Sequence, residues 1–178
     1  MVVSKQITSS YFPLSAIILN DRMFEPIADE SNKIGVLGHG FTAGGHPVGS
    51  AIALENLKII EERGLVAHAA ELGGYMQVKL RELTSHPLVG EVRGVGMIAA
   101  LELVLDKTRK TAAATPGAVG GIASRMLQER GVISRNMLDA IAICPPLITT
   151  KAQIDDLVAA IAGVLNDMKA DVAKLTPA

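Results

Sequence analysis

The amino-acid sequence predicts an α/β fold. Segments with an apolar period of two alternate with segments of helical period between residues 90 and 170, glycines or capping residues bound the helical stripes, and short apolar runs end in turn formers. This alternation describes one small α/β domain preceded by the remnant of another.

The first element is PLSAIILN, Pro13 to Asn20, an apolar run of strand length ended by Asn20-Asp21 and predicted to be a buried strand. GHGFTAGGHPVG then breaks all periodicity, and Pro47 sits where a helix can begin, because its missing N–H would be unpaired there in any case. Ala51, Ile52, Ile59 and Ile60 follow at helical intervals, with Gly64 as the stop. A second stripe, Leu65, Ala69, Leu72, Met76, Leu80 and Leu83, runs to Pro87 and is weakened locally by Gly73-Gly74. From Val95 to Leu105 alternate residues are apolar, which predicts a single, mostly buried strand. LDKTRKTAAATPGA reads as a loop and Ala118 to Arg130 as a helix terminated by Gly131. Val132–Ser134 and Ala140–Cys144 are predicted as short strands separated by a turn at Asn136 to Asp139. Thr150 and Gln153 have capping-box spacing, and Ile154, Leu157, Val158, Ile161, Leu165 and Met168 form one face of a last helix.

Composition narrows the partners. The 178 residues include 17 basic and 18 acidic ones, a formal charge of -1, with no basic run and 3% aromatics. No phosphate-tracking surface is expected, and so no nucleic-acid partner. The single cysteine, Cys144, rules out an internal disulfide, and no Cys/His cluster points to a metal; a reducing cytoplasm is the expected location. Despite a positive mean hydropathy, no run of about 18 uncharged apolar residues is present, so neither export nor a membrane span is expected.

The glycine loop offers the first chemical candidate. Gly38, Gly40 and Ala43 satisfy G-x-G-x-x-A after the apolar run Ile34 to Leu37, the outline of a dinucleotide fingerprint. Pro47 delays helix entry past the motif, and the nearest acids, Glu61 and Glu62, belong to a helical pattern, so the fingerprint fails. Thr42 among these glycines could instead help accept a phosphate dianion; the plainer reading is a glycine-rich connection. Lys5, taken alone, reads as a surface charge.

Four blocks kept in order, SKQITSSYFPLSA, GHGFTAGGHPVGSAIALENLKIIEERGL, HPLVGEVRGVGMIAALELV and GVISRNMLDAIAICPPLITTKAQIDDL, resemble the C-terminal portion of class III, omega-type, pyridoxal-phosphate-dependent aminotransferases. The resemblance implies fold-type I, with residues 1–64 as the end of the large cofactor-binding domain plus a linker helix and 65–178 as the small C-terminal α/β domain. It implies transfer of an amino group from an amine or omega-amino acid to a keto acid such as pyruvate. Lys5 matches the lysine that forms a Schiff base with pyridoxal 5'-phosphate and, once free and neutral, moves the substrate proton. Thr42, in GFTAGGHP, matches the threonine that hydrogen-bonds the cofactor phosphate, commonly from the other subunit of a homodimer. Arg135 matches the arginine that clamps a substrate carboxylate through its planar fork. His46 and Arg93 are assigned to architecture, and Tyr11 is a candidate for the pocket wall.

This chain departs from the family at Ala43 and Gly44, where an aromatic usually follows the threonine. The residues that stack on the cofactor ring and hold its nitrogen protonated precede the lysine in the family and have no counterpart here, so a C-terminal fragment is expected. Residues after about 65 are expected to fold, while those before it are poorly supported. The alternative reading is a non-catalytic remnant that only associates with itself or with an intact or complementary chain.

Overall fold

The computed structural model describes residues 1–109 and 111–175. The chain divides into two compact units, Met1–Gly64 and Leu65–Ala178.

In the first unit β1 (Val2–Val3) pairs antiparallel with β2 (Ala16–Ile17), and a 3-10 turn, Lys5–Thr8, lies between them. The buried strand expected over Pro13 to Asn20 is therefore not found. Only two of its residues pair, and Ile17 and Ile18 are 63% and 52% exposed. Their apolar character calls for a sheet face that the two-residue β1 does not supply. Helix α1 (Asp21–Ile34) has no counterpart among the elements expected from the sequence. Asn20, read as a turn former, is its N-cap and accepts a hydrogen bond from the Met23 amide at 3.2 Å. Pro26 in the second turn and an apolar side (Met23, Phe24, Ile27, Ile34) that stays exposed obscure the helix in the sequence. Helix α2 (Pro47–Glu62) starts at the expected proline, and Gly64 follows in the left-handed region at φ 58°. The buried residues of this unit are few: Thr8, Gly49 and Ala53.

The second unit holds the core. Helix α3 (Leu65–Glu82) runs on as a 3-10 turn, Leu83–Ser85, and leads into an antiparallel sheet of order β3-β4-β6-β5. The strands are β3 (Val89–Val95), β4 (Ile98–Leu103), β5 (Arg135–Met137) and β6 (Ala140–Ile143), with α4 (Ala118–Glu129) between β4 and β5. Helices α5 (Lys151–Asp167) and α6 (Lys169–Ala173) close the chain. Leu72, Met76 and Leu80 of α3 join Leu101 of β4, Leu127 of α4, and Ile154 and Leu165 of α5 in one cluster, each at most 2% exposed. The capping box at Thr150 and Gln153 is formed in both directions.

Two strand predictions are corrected here. The single strand from Val95 is the second arm of a hairpin whose two-residue turn is Gly96-Met97, with Val95 opposite Ile98. Met97, Ala99, Leu101 and Leu103 are all buried, so the period of two runs straight through the turn and conceals it. Gly96 supplies the positive φ of 54° that the turn requires. The strand expected at Val132–Ser134 starts instead at Arg135 and pairs with β6, Arg135 lying opposite Ala142. Its turn is Leu138-Asp139, with Leu138 at φ 56°, a residue that does not announce a turn.

Candidate functional site

Lys5 opens the 3-10 turn with φ 53°, a left-handed conformation that lysine adopts only when its surroundings hold it there. Ser9 and Ser10 share it at φ 47° and 66°. Three such residues around one short turn store strain of about 1–3 kcal/mol each. The turn is tied down from three sides. Thr8, 1% exposed, donates its hydroxyl to the Phe12 carbonyl at 2.6 Å. The Asn56 side-chain amide, from the middle of α2, donates to the Gln6 and Ile7 carbonyls at 2.7 and 3.2 Å. Its oxygen accepts from the Ser9 hydroxyl at 2.7 Å. Lys5 itself is exposed and enters no salt bridge among the described residues. Beside this turn, Val3, Ile7, Ile18, Leu57 and Ile60 help line an apolar hollow of about 560 Å³.

Thr42 is exposed in the loop that enters α2. The Gly44 amide donates to the Phe41 carbonyl at 2.9 Å, and Gly45 takes φ 65°, closing a tight turn around the threonine. His46 caps α2, its Nδ1 accepting from the Val48 amide at 3.3 Å, and its ring lies 5.1 Å from that of Phe12. A Cβ at Gly49 would come within 2.7 Å of the Phe12 ring, so this glycine lets the segment after Lys5 lie on α2. The dinucleotide reading fails structurally as well: helix α1, not a strand, precedes the glycine loop, and α2 begins only at Pro47. Lys5 and Thr42 thus both hang on α2, one at its middle and one at its entry. No hydrogen bond joins them.

Arg135 begins β5 in the second unit, is exposed, and makes no salt bridge among the described residues. Its hairpin is fixed by Asp139, which the sequence places in the turn without marking it as a helix cap. Asp139 is 8% exposed and accepts from the Gly117 and Gly120 amides at 3.1 and 2.9 Å, so the turn caps α4 with a carboxylate. Gly120 permits this, since a Cβ there would meet the Leu138 carbonyl oxygen at 2.0 Å. Arg93, by contrast, is committed to Glu102 at 2.9 Å and Glu91 at 3.3 Å; the Glu102 hydrogen bond raises its pKa above the ordinary guanidinium value. Tyr11 is 83% exposed. Among the described residues no group of three or more His, Cys, Asp or Glu is placed to hold a metal, and no helix is long and apolar enough to cross a membrane.

The aminotransferase class-III family matches residues 1–165. The chain belongs to this family. A diaminobutyrate–2-oxoglutarate transaminase of Halomonas elongata is 41% identical over 89% of this chain and 34% of its own length. A putrescine–pyruvate aminotransferase of Pseudomonas aeruginosa is 40% identical, with the same shares covered. Among solved structures, a transaminase with L-alanine superposes with TM-score 0.94 and 60% identity over 96% of this chain and 40% of that one. The omega transaminase of Pseudomonas jessenii in complex with PMP gives 0.93 and 49%, over 97% and 38%. The chain thus spans about two fifths of the length of the solved relatives. Its fold is that of fold-type I pyridoxal-phosphate transaminases.

The donor set suits the family's cofactor, pyridoxal 5'-phosphate. A primary amine can condense with its aldehyde, and a threonine hydroxyl in a loop of glycine amides can bind its phosphate. Sequence reasoning missed Asn56 and Asp139. Each acts on backbone groups of a distant segment, and no local spacing records that.

Proposed function

We propose that this chain contributes the amine, the phosphate-binding threonine and the carboxylate clamp of an omega-type transaminase, which moves an amino group from an amine or omega-amino acid to a keto acid such as pyruvate. The observation that carries the reading is Lys5 in a left-handed turn braced against α2, within a class III aminotransferase chain. Bound pyridoxal 5'-phosphate supplies an electrophilic carbon and a ring that accepts the electrons of the broken C–H bond. Lys5 Nζ would hold the cofactor and, as a free amine, would carry the substrate proton. Thr42 and its loop amides would hold the cofactor's phosphate. Arg135 takes a substrate carboxylate in two parallel hydrogen bonds.

A homodimer belongs to this reading. The resemblance to class III aminotransferases, in which this threonine commonly serves the lysine of the other subunit, supports a threonine serving the lysine of a second copy. The putrescine–pyruvate relative supports amine donors and pyruvate as acceptor.

The test is covalent. The purified chain is mixed with pyridoxal 5'-phosphate, reduced with borohydride, and mapped by mass spectrometry. Label concentrated on Lys5 and lost in Lys5→Ala supports the site, while label spread evenly over surface lysines refutes it.

A further inference from the structure

The side-chain amide of Asn56 is given over entirely to one segment of backbone. Nδ2 donates to the carbonyls of Gln6 and Ile7, and Oδ1 accepts from the Ser9 hydroxyl, across 47 to 50 positions of sequence. Gln6 adds a bond from its own amide to the Ser9 hydroxyl at 3.2 Å, so the contacts form a small closed network. Lys5 on one side of this segment and Ser9 and Ser10 on the other hold positive φ. Non-glycine residues leave that region when nothing outside them enforces it. The Cα–Cβ bond of Lys5 turns about φ together with the residues that follow it, so a tie that holds Gln6 and Ile7 on α2 and keeps φ at 53° also holds the direction in which that bond leaves the chain.

We propose that Asn56 is the positioning residue for Lys5: its three hydrogen bonds lock the turn, and with it the placement of the reactive amine relative to α2. The proposal rests on the reading of Lys5 as the cofactor-binding amine. Asparagine is the residue type this role needs. Two neighbouring carbonyls require a donor pair and the Ser9 hydroxyl requires an acceptor, which one primary amide meets and a carboxylate does not. Asn56→Asp keeps the acceptor but sets an oxygen lone pair against the two carbonyls. Ser9→Ala removes only the third bond.

The full chain is compared with Asn56→Ala, Asn56→Asp and Ser9→Ala in two measurements. Borohydride trapping with pyridoxal 5'-phosphate gives the ratio of label on Lys5 to label on the lysines of residues 65–178, which serve as the internal reference. Hydrogen–deuterium exchange follows the peptide spanning residues 4–11. We expect both Asn56 variants to lower the labelling ratio about fivefold or more and to speed exchange in 4–11 about tenfold, with exchange in residues 65–175 unchanged. Ser9→Ala should lower the ratio about twofold, and it decides the matter if circular dichroism shows the Asn56 variants unfolded. A variant that loosens the segment yet keeps the full preference for Lys5 reveals a merely structural tie and overturns the proposal. Unchanged exchange overturns it too. A wild-type chain with no preference for Lys5 refutes the reading of Lys5 itself, and the positioning role falls with it.

Discussion

Gly73 and Gly74 are adjacent in α3 and look equivalent in the sequence, yet alanine at the two positions should act in opposite directions. An added Cβ at Gly74 meets nothing within 4 Å, so Gly74→Ala gains the helix propensity of alanine, about 1 kcal/mol. At Gly73 the same atom would lie 2.5 Å from the carbonyl carbon and 2.6 Å from the Cα of Gly96. Those are backbone atoms of the hairpin turn, and they cannot rotate away as a side chain does. The turn is also pinned to α3 by Gln77, which donates to the Gly96 and Ile98 carbonyls at 3.0 Å each. Relief therefore means displacing β3 and β4 from α3 or stretching both Gln77 bonds. Overpacking of this kind costs about 1–3 kcal/mol, and a weakened pair of partly buried hydrogen bonds adds about 1 kcal/mol. After the propensity gain, Gly73→Ala is expected to destabilise the second unit by about 1–3 kcal/mol. The assay is urea unfolding of the full chain followed by circular dichroism, with exchange mass spectrometry assigning the transition to residues 65–175. A Gly73→Ala protein as stable as wild type, or a Gly74→Ala protein less stable, would refute the packing argument.

Asp139→Ala should cost about 2–4 kcal/mol in the same unfolding experiment, since it strips the charged cap from two α4 amides, one of them in a buried setting; Asp139→Asn, which keeps an acceptor, should recover part of the loss. Burial of His86, reinforced by the Lys169 ammonium and partly offset by the Asn166 side chain, lowers its pKa below the ordinary 6.5. Because the unfolded chain then binds a proton that the folded one refuses, this site's contribution is full above pH 6.5 and declines as the pH falls below it. His86→Asn, whose side-chain oxygen can still accept from the Leu88 amide, should flatten the fall in urea midpoint between pH 7.5 and 5.5; an unaltered slope would exclude His86 as its source. Under the proposed assignment of Arg135 as the carboxylate clamp, Arg135→Leu should raise KM for carboxylate-bearing substrates about tenfold or more and leave simple amines nearly unaffected; substrate-series kinetics showing both classes equally affected would refute that assignment.

Periodicity was informative wherever the chain supplies its own cover. The stripe from Leu65 to Leu83 and the helix ending at Gly131 are legible because most of the apolar side chains that define them are buried within the second unit, and the box at Thr150 because its two exposed side chains bond backbone only three residues away. It misled in the first unit for the converse reason. PLSAIILN has the composition of an interior strand, but composition reports what a segment would bury and not whether a partner is present; Ile17 and Ile18 stand exposed. Helix α1 escaped because its apolar side meets no core and its second turn contains Pro26, so pattern and propensity both pointed elsewhere.

The assignment of site residues follows a different route. Neither period nor spacing marks Lys5, Thr42 or Arg135; they emerge from the order of four sequence blocks, which carry information about a fold larger than any local pattern. Asn56 falls between the two kinds of signal. Within its helix it is an ordinary polar residue flanked by Glu55 and Leu57, and its function is to satisfy carbonyls on a turn some 50 positions earlier. The strain at Lys5 is what identifies it. A left-handed lysine needs an external restraint, and tracing the hydrogen bonds around that turn leads to one amide. Strained backbone thus marks, through the bonds that hold it, residues that neither periodicity nor family resemblance singles out.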